Sequence, residues 1–545
     1  MCAGDDHDCP QFELHRQKLL DDLDCERRSF LKSAFLAGGG AATAWAAGGA
    51  LVSPASAQTR PGQPTYHYLP ATADTVHWGY FSKLLKPQLE VDSGDYITIE
   101  ALTHHANDDA ERMIKGDPGA ESVFLWTKDK KGVNRRGAGP IDGKLLGRGS
   151  GEGFGVHICT GPVYVRGAEP GDVLEVRIMD VKPRPCANPA YAGKSFGSNA
   201  AAWWGFHYQD LITDPKPREV CTIYEIDTSG QRNWAQAVYN FRWTPQTDPF
   251  GVVHKTIDYP GVPVDHSTVQ EIHNVLKNVR VPIRPHFGVM GLAPKEVDIV
   301  DSIPPSYVGG NIDNWRLGKG AVMYYPVAVP GGLFSIGDSH AAQGDSELCG
   351  TAIEMSLTGT FQLILHKQNM LTGSLAGLNY PLLETQDEWV LHGFSFTNYL
   401  EELGPEAQQE IYKKSSIDLA LRDAFRKMRR FLMTTKGLSE DEAISLISIG
   451  VDLGADARIS GVHGGPTIWP PVAVTALITM PTIVAAVCHW LHAEQIAEHV
   501  PSMNEPILPM CIFCVSVWYL FSDAGWTSGG IPGLDAFSSG LNARP

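Results

Sequence analysis

The densest chemistry in the chain lies in Gly337–Glu354, "GDSHAAQGDSELCGTAIE", which places Asp338, His340, Gln343, Asp345, Glu347 and Cys349 close together. An apolar run, "GGLFSI", precedes it and reads as a strand that stops at Gly337. If the strand continues through His340, Asp338 and His340 stand two residues apart and project from one face. A carboxylate and an imidazole converging at a strand end can hold a divalent cation, and Zn²⁺ accepts such a pair while leaving a position for water. Asp345 and Glu347 repeat the spacing beyond the turn at Gly344, so either is a candidate further ligand or general base. The same residues also suit a hydrogen-bonded turn held by Asx side chains. Spacing alone leaves both readings open, because D-x-H is a short pattern.

Elements able to position such residues are strands. "DYITIEALTHHA" alternates Tyr96, Thr98 and Glu100 against Ile97 and Ile99, and "DVLEVRIMDVKP" alternates in the same way. "PVYVRGAEPGD" is a strand entering a Pro-Gly turn, and "NVLKNVRVPIRPHFGVMGLAP", "AVMYYPVAVPGGLFSIGD" and "TAIEMSLTGTFQLILHK" repeat the pattern. Short strands between Gly/Pro turns predict a mostly β fold, a sandwich or barrel. Helical spacing comes late, in "GPEAQQEIYKKSSIDLALRDAFRKMRRFLMTTKG", with Gly437 as a stop and Ser439 as the N-cap of a following helix.

Three ordered blocks resemble the acetamidase/formamidase family. They are "GVHICTGPVYVRGAEPGDVLEVRI", "PHFGVMGLAP" and "GGNIDNWRLGKGAVMYYPVAVPGGLFSIGDSHAAQGDSELCGTAIE", and the similarity runs from about Asp74 to Gly461. The resemblance implies a mostly β hydrolase of simple amides, a homodimer or larger, with a divalent metal near the acidic-His block. The positions matching the family's motifs are Asn311, Asp313, Asp338, His340, Gln343, Asp345, Glu347 and Cys349, with His157 before the Thr-Gly-Pro segment. Ser346 replaces the usual glycine, and the segment from Thr103 to Trp126 is bulkier than in short-chain amidases.

On this basis Asp338 and His340 are expected as metal ligands, with Zn²⁺ first and Ca²⁺ or Mn²⁺ as alternatives. Glu347, Asp345 and His157 are expected in catalysis, with Glu347 as the proton carrier. Asn311, Asp313, Gln343, His104 and Cys349 are expected to meet the substrate, a small linear amide of the formamide or acetamide type. Adjacent residues of a strand face opposite ways, so at most one of His104 and His105 is expected inside. Cys349 is read first as a small buried residue and second as a nucleophile. No G-x-S-x-G elbow appears at a strand–helix junction to mark a serine nucleophile. An exported metal- or ligand-binding β-protein without amidase activity, or a membrane-tethered hydrolase, is the alternative.

Residues 1–57 resemble a twin-arginine export signal: Arg27 and Arg28 precede an apolar Gly/Ala-rich stretch, and Ala55 and Ala57 form a small-x-small cleavage site. The expected location is therefore the periplasm or another exported compartment. The hydrolase domain is expected over 58–469. An apolar extension follows over 470–545, in which a membrane contact stays open, because no Asp, Glu, Lys or Arg occurs from Ile459 to Ala493. Apart from a lone C-x-x-C at Cys511 and Cys514, which has no second pair and no His partner, the ten cysteines are widely spaced, and they do not read as a disulfide framework. A net charge of −17 over 545 residues argues against a nucleic-acid partner, which needs basic patches.

Overall fold

The computed structural model describes residues 64–124, 155–208, 211–216, 218–230, 232–248, 251–257, 261–455 and 473–479. The expected leader, the Cys511–Cys514 pair and most of the apolar extension lie outside the described residues. No helix among the described residues is long and apolar enough to cross a membrane.

The described chain is mostly β. One sheet of nine strands runs in the order Tyr66–Leu69, Tyr96–Ala101, Leu357–His366, Val173–Pro183, Val322–Pro326, Leu382–Glu384, Glu388–Phe394, Ala473–Thr479 and Val451–Ala455. A second, of twelve strands, includes Trp234–Arg242, Val220–Asp227, Lys194–Ala201, Glu354–Met355, Phe334–His340, His286–Gly291 and Gly309–Asn311 in that order. Ile158–Val165 pairs with the second sheet through Phe334–His340. The pairing is antiparallel in both sheets except Tyr66–Leu69 with Tyr96–Ala101 and Leu89–Val91 with Ile158–Val165.

Alternation decides which face each strand buries. Ile97 and Ile99, Leu174, Val176 and Ile178, and Phe361 and Leu363 come from the first sheet; Phe287, Met290, Phe334 and Ile336 come from the second. All join one buried cluster, so the two sheets form a sandwich. Phe361 is the hinge of that contact, with ring centroids 5.5 Å from Phe287 and 6.0 Å from Phe334. Truncating such a phenylalanine to alanine costs about 3–5 kcal/mol. Gly359 makes the contact fit: a Cβ there would lie 2.5 Å from Phe361 Cζ and 2.7 Å from Phe287 Cζ.

The late helices form where the pattern predicts them. Ile417–Lys436 buries Ala420, Ala424, Met428, Phe431 and Leu432, a stripe at helical spacing, against the first sheet. Ser416 caps its start through Leu419 N, and Gly437, at φ 67°, ends it. Ser439 and Glu442 form a capping box for Glu440–Gly450. Short helices also occur early, at Ala110–Met113 and Pro118–Phe124, where none is predicted. The sheet continues past the boundary expected at 469, since Ala473–Thr479 pairs with Glu388–Phe394 and Val451–Ala455.

Candidate active site

Sheet register assembles the first part of the site. His286 opens its strand opposite His340, and His340 faces Glu354 across its other edge. Directly paired residues of antiparallel strands project from the same face, so the three side chains form one row. Asp338 lies two residues before His340 on the same strand. Its φ of 47° puts it in the left-handed region, which costs a non-glycine residue roughly 1–3 kcal/mol and clusters at functional positions.

Loops bring the remaining groups onto this row. His104 follows the strand Tyr96–Ala101, His157 immediately precedes Ile158–Val165, and Asp313, at φ 50°, follows Gly309–Asn311. Glu347 comes from the loop after His340, where Ser346 and Glu347 have φ of 74° and 41°. His104, His157, Asp313, Asp338, His340, Glu347 and Glu354 are all between 0% and 4% exposed. Donor atoms of all of these but His157 fall into three overlapping groups, each within 4.8 Å: His104–Asp338–Glu354, Asp313–Asp338–His340 and His340–Glu347–Glu354.

Separation distinguishes a cation site from a hydrogen-bonded network. Asp338 Oδ1 is 3.6 Å from His104 Nδ1 and 3.4 Å from His340 Nε2, and its Oδ2 is 3.4 Å from His157 Nε2. Glu354 Oε2 is 3.4 Å from His340 Nε2. A good N–H···O bond spans about 2.7–3.2 Å. Two donors at tetrahedral positions about 2.1 Å from a Zn²⁺ stand about 3.4 Å from each other. Both oxygens of Asp338, His340 Nε2 and Glu354 Oε2 are buried without a hydrogen bond, a costly state that a shared cation relieves.

Gly288 keeps the centre open. Its neighbours Phe287 and Val289 pair with Ser339 and Gly337, which sets it opposite Asp338. A Cβ on Gly288 would lie 2.4 Å from Asp313 Oδ1, 2.7 Å from His340 Cε1 and 2.8 Å from Asp338 Oδ2. The donors thus converge on a space that any other residue would fill.

Electrostatics follow the same geometry. Burial alone would raise the Asp338 carboxyl, but the imidazoles of His157, His340 and His104 outweigh it and hold the group well below the usual carboxylate range. Burial would lower His340, but the carboxylates of Glu354 and Asp338 hold it well above the usual imidazole range. His286 is pushed down to about 3, by burial first and by His340 second.

Of the residues singled out in the sequence, Asp338, His340, Glu347, His157, Asp313 and His104 meet in this cluster. Asp313 was expected to contact substrate and stands instead among the donors. Asp345 does not reach the cluster: it is exposed, and its Oδ1 accepts a 2.6 Å hydrogen bond from Trp315 Nε1. The turn at Gly344 breaks the strand alternation that would have aligned it with Glu347. Gln343 lies beside the cluster, with Oε1 3.0 Å from His340 Nδ1. It also lines a surface depression of about 620 Å³ together with Asn199, Tyr224, Arg284, Thr351 and Ile353. Asn311 donates from Nδ2 to Ile303 O at 3.1 Å. Cys349 Sγ donates to Thr351 O at 3.4 Å and accepts from Asn199 Nδ2 at 3.2 Å; burial pushes its thiol up, away from a nucleophilic thiolate.

The expectation that at most one of His104 and His105 is inside is wrong, since both are buried. They occupy a turn, where strand alternation does not apply. His105 Nδ1 bonds Asp108 Oδ2 at 2.9 Å, and Asp108 also accepts from Ser198 Oγ at 2.6 Å, which anchors the turn that presents His104. Sequence reasoning missed Glu354, His286, Ser302 and Gly288. Ser302 Oγ is 2.9 Å from His157 Nδ1 and orients that ring. Glu354 and His286 are placed by cross-strand register, which has no local sequence signal; reading His340 and Glu354 as a strand–loop–strand return would have found the first.

Known proteins resemble much of the chain. The family model described as "Acetamidase/Formamidase family" matches residues 154–302 and 297–482. The acetamidase of Mycolicibacterium smegmatis is 32% identical over 221 residues, 36% of this chain and 51% of that protein. The formamidase of Methylophilus methylotrophus is 25% identical over 348 residues, 58% of this chain and 77% of that protein. The chain thus spans about half the length of the first of these relatives. The crystal structure of an acetamidase from Bacillus halodurans aligns with 76% of this chain and 97% of its own, at 19% identity and a TM-score of 0.48. By the extent of the family match, this chain belongs to the acetamidase/formamidase family.

Proposed function

We propose that the protein hydrolyses the C–N bond of a small linear amide, of the formamide or acetamide type, with a divalent cation, Zn²⁺ first, held by the buried cluster. One observation carries this reading: Asp338 has neither oxygen hydrogen-bonded while three imidazole nitrogens surround it at 3.4–3.6 Å. A cation held there would polarise the amide carbonyl and lower the pKa of a water.

The chain's own residues supply the rest. Asp338 and His340 are the central ligands, with His104, His157, Asp313 and Glu354 around them. These donors outnumber the roughly four that Zn²⁺ takes, which leaves a carboxylate over for proton transfer. Glu347 fits that role, because it enters from a loop, on the edge of the donor set. It takes a proton from the attacking water and returns it to the amide nitrogen, so that the C–N bond breaks to give carboxylate and ammonia. Gln343, shared between the cluster and the surface depression, marks the side from which the amide approaches. Export by the twin-arginine route and assembly as a homodimer or larger complete the proposal; the first rests on Arg27 and Arg28, the second on the family resemblance.

The test pairs elemental analysis with ammonia release. Purified protein is expected to carry a divalent metal and to release ammonia from formamide or acetamide, and His340→Ala to lose both together. A His340→Ala protein with full metal content and near-normal turnover would end this reading.

A further inference from the structure

We infer that His286 is a positioning residue that fixes the tautomer of His340, through a carbonyl–imidazole–imidazole relay leading to the cation. This rests on the metal-site reading above. His286 Nδ1 is 2.6 Å from the Arg284 carbonyl oxygen. Two acceptors do not approach that closely, so Nδ1 carries a hydrogen and donates. That hydrogen is the one a neutral ring carries, and the ring is fully buried beside a second imidazole, where a neutral form avoids the cost of an unpaired buried charge. His286 Nε2 is therefore an acceptor.

That nitrogen is 3.1 Å from His340 Nδ1. The amide of Gln343 adds a second acceptor at the same place. Gln343 Nε2 donates to the Asp313 carbonyl oxygen, which settles the orientation of the amide and turns Oε1 toward His340 Nδ1 at 3.0 Å. Oε1 is also 3.0 Å from His286 Nε2. Once a cation displaces the Nε2 proton that the carboxylates otherwise hold, the one hydrogen left on His340 is at Nδ1, and shared between the two it satisfies both acceptors. The opposite nitrogen, His340 Nε2, then presents its lone pair on the side where Asp338 Oδ1 and Glu354 Oε2 each stand at 3.4 Å. A ligating histidine works through one nitrogen only if the other is held protonated, and losing such a partner typically costs 10–100-fold in metal affinity.

The relay also links two halves of the site. Gln343 bridges the backbone carbonyl of Asp313 and the ring of His340, so the ligand on the loop and the ligand on the strand share one support.

The experiment measures Zn²⁺ affinity by chelator competition, together with the ¹⁵N spectrum of ring-labelled histidine in the Zn²⁺-loaded full chain. Wild type is expected to show His340 with a proton on Nδ1 and a metal-shifted Nε2. His286→Leu should weaken Zn²⁺ binding by about tenfold, and His286→Leu with Gln343→Leu by about 100-fold, with loss of the Nδ1–H signature. His286→Gln, which retains an acceptor, should recover most of the affinity; it keeps the test decisive where His286→Leu folds poorly. Wild-type affinity and an unchanged His340 spectrum in a folded double variant would overturn the relay while leaving the metal site standing. A wild-type protein that binds no Zn²⁺ would instead overturn the proposed function beneath it.

Discussion

Gly288→Ala separates the proposed cation site from the fold. Gly288 does not have a positive φ, so alanine meets no backbone penalty there and only space matters. The added Cβ would sit 2.4, 2.7 and 2.8 Å from Asp313 Oδ1, His340 Cε1 and Asp338 Oδ2. Ordinary contacts lie at about 3.5–4.0 Å, so these groups must retreat by roughly an ångström. Metal–ligand distances tolerate only about ±0.2 Å, so the displacement exceeds the tolerance several-fold. Overpacking of this kind costs about 1–3 kcal/mol of stability, which a domain of this size survives. Gly288→Ala is therefore expected to remain folded while losing bound metal and amidase turnover together. Elemental analysis after dialysis against a weak chelator reads the first, ammonia release the second, and urea unfolding checks the fold. A folded Gly288→Ala protein with wild-type metal content would refute the claim that the donors converge on the space this glycine leaves open.

Glu347→Gln keeps the side-chain size and an oxygen but cannot take a proton; metal should be largely retained and turnover should fall by about 10²–10⁴-fold in steady-state kinetics. Asp345→Asn, on the exposed end of the same loop, should change turnover by less than about threefold, and a Glu347-like loss would move the proton carrier to Asp345. Asp301 is buried, which pushes its carboxyl up to about 7 against the opposing hydrogen bonds from Tyr412 and Ile303. Its folded pKa thus exceeds the unfolded one, so its contribution is full below about pH 4 and is lost as pH rises through 7, by at most about 4 kcal/mol. Urea midpoints of wild type should fall from pH 5 to pH 8, and those of Asp301→Asn should fall less. Replacing Arg27 and Arg28 together by lysine should hold the protein in the cytoplasm with its leader intact, and normal export of that variant would remove the signal assignment.

Much of the scaffold is determined locally. Alternation in "YITIEA" and "VLEVRIMDVKP" specifies strands because a half-buried sheet rewards period two, and both form. Ser416, Gly437 and Ser439 mark helix ends because caps satisfy backbone groups within a few residues. The pairing of Asp338 with His340 was legible for the same reason: two residues on one strand face need no knowledge of the rest of the chain. Resemblance extended this to His157, Asp313 and Glu347, though it placed Asp313 at the substrate and Asp345 in the site. What only the tertiary structure decided is which distant groups meet Asp338. His286, His340 and Glu354 come from three strands whose pairing register sets their convergence, while a turn brings in His104. A shift of one residue in that register would turn each side chain to the other face, and no local pattern encodes the choice. The open centre at Gly288 belongs to the same class, since a glycine's value there depends on what faces it across the sheet.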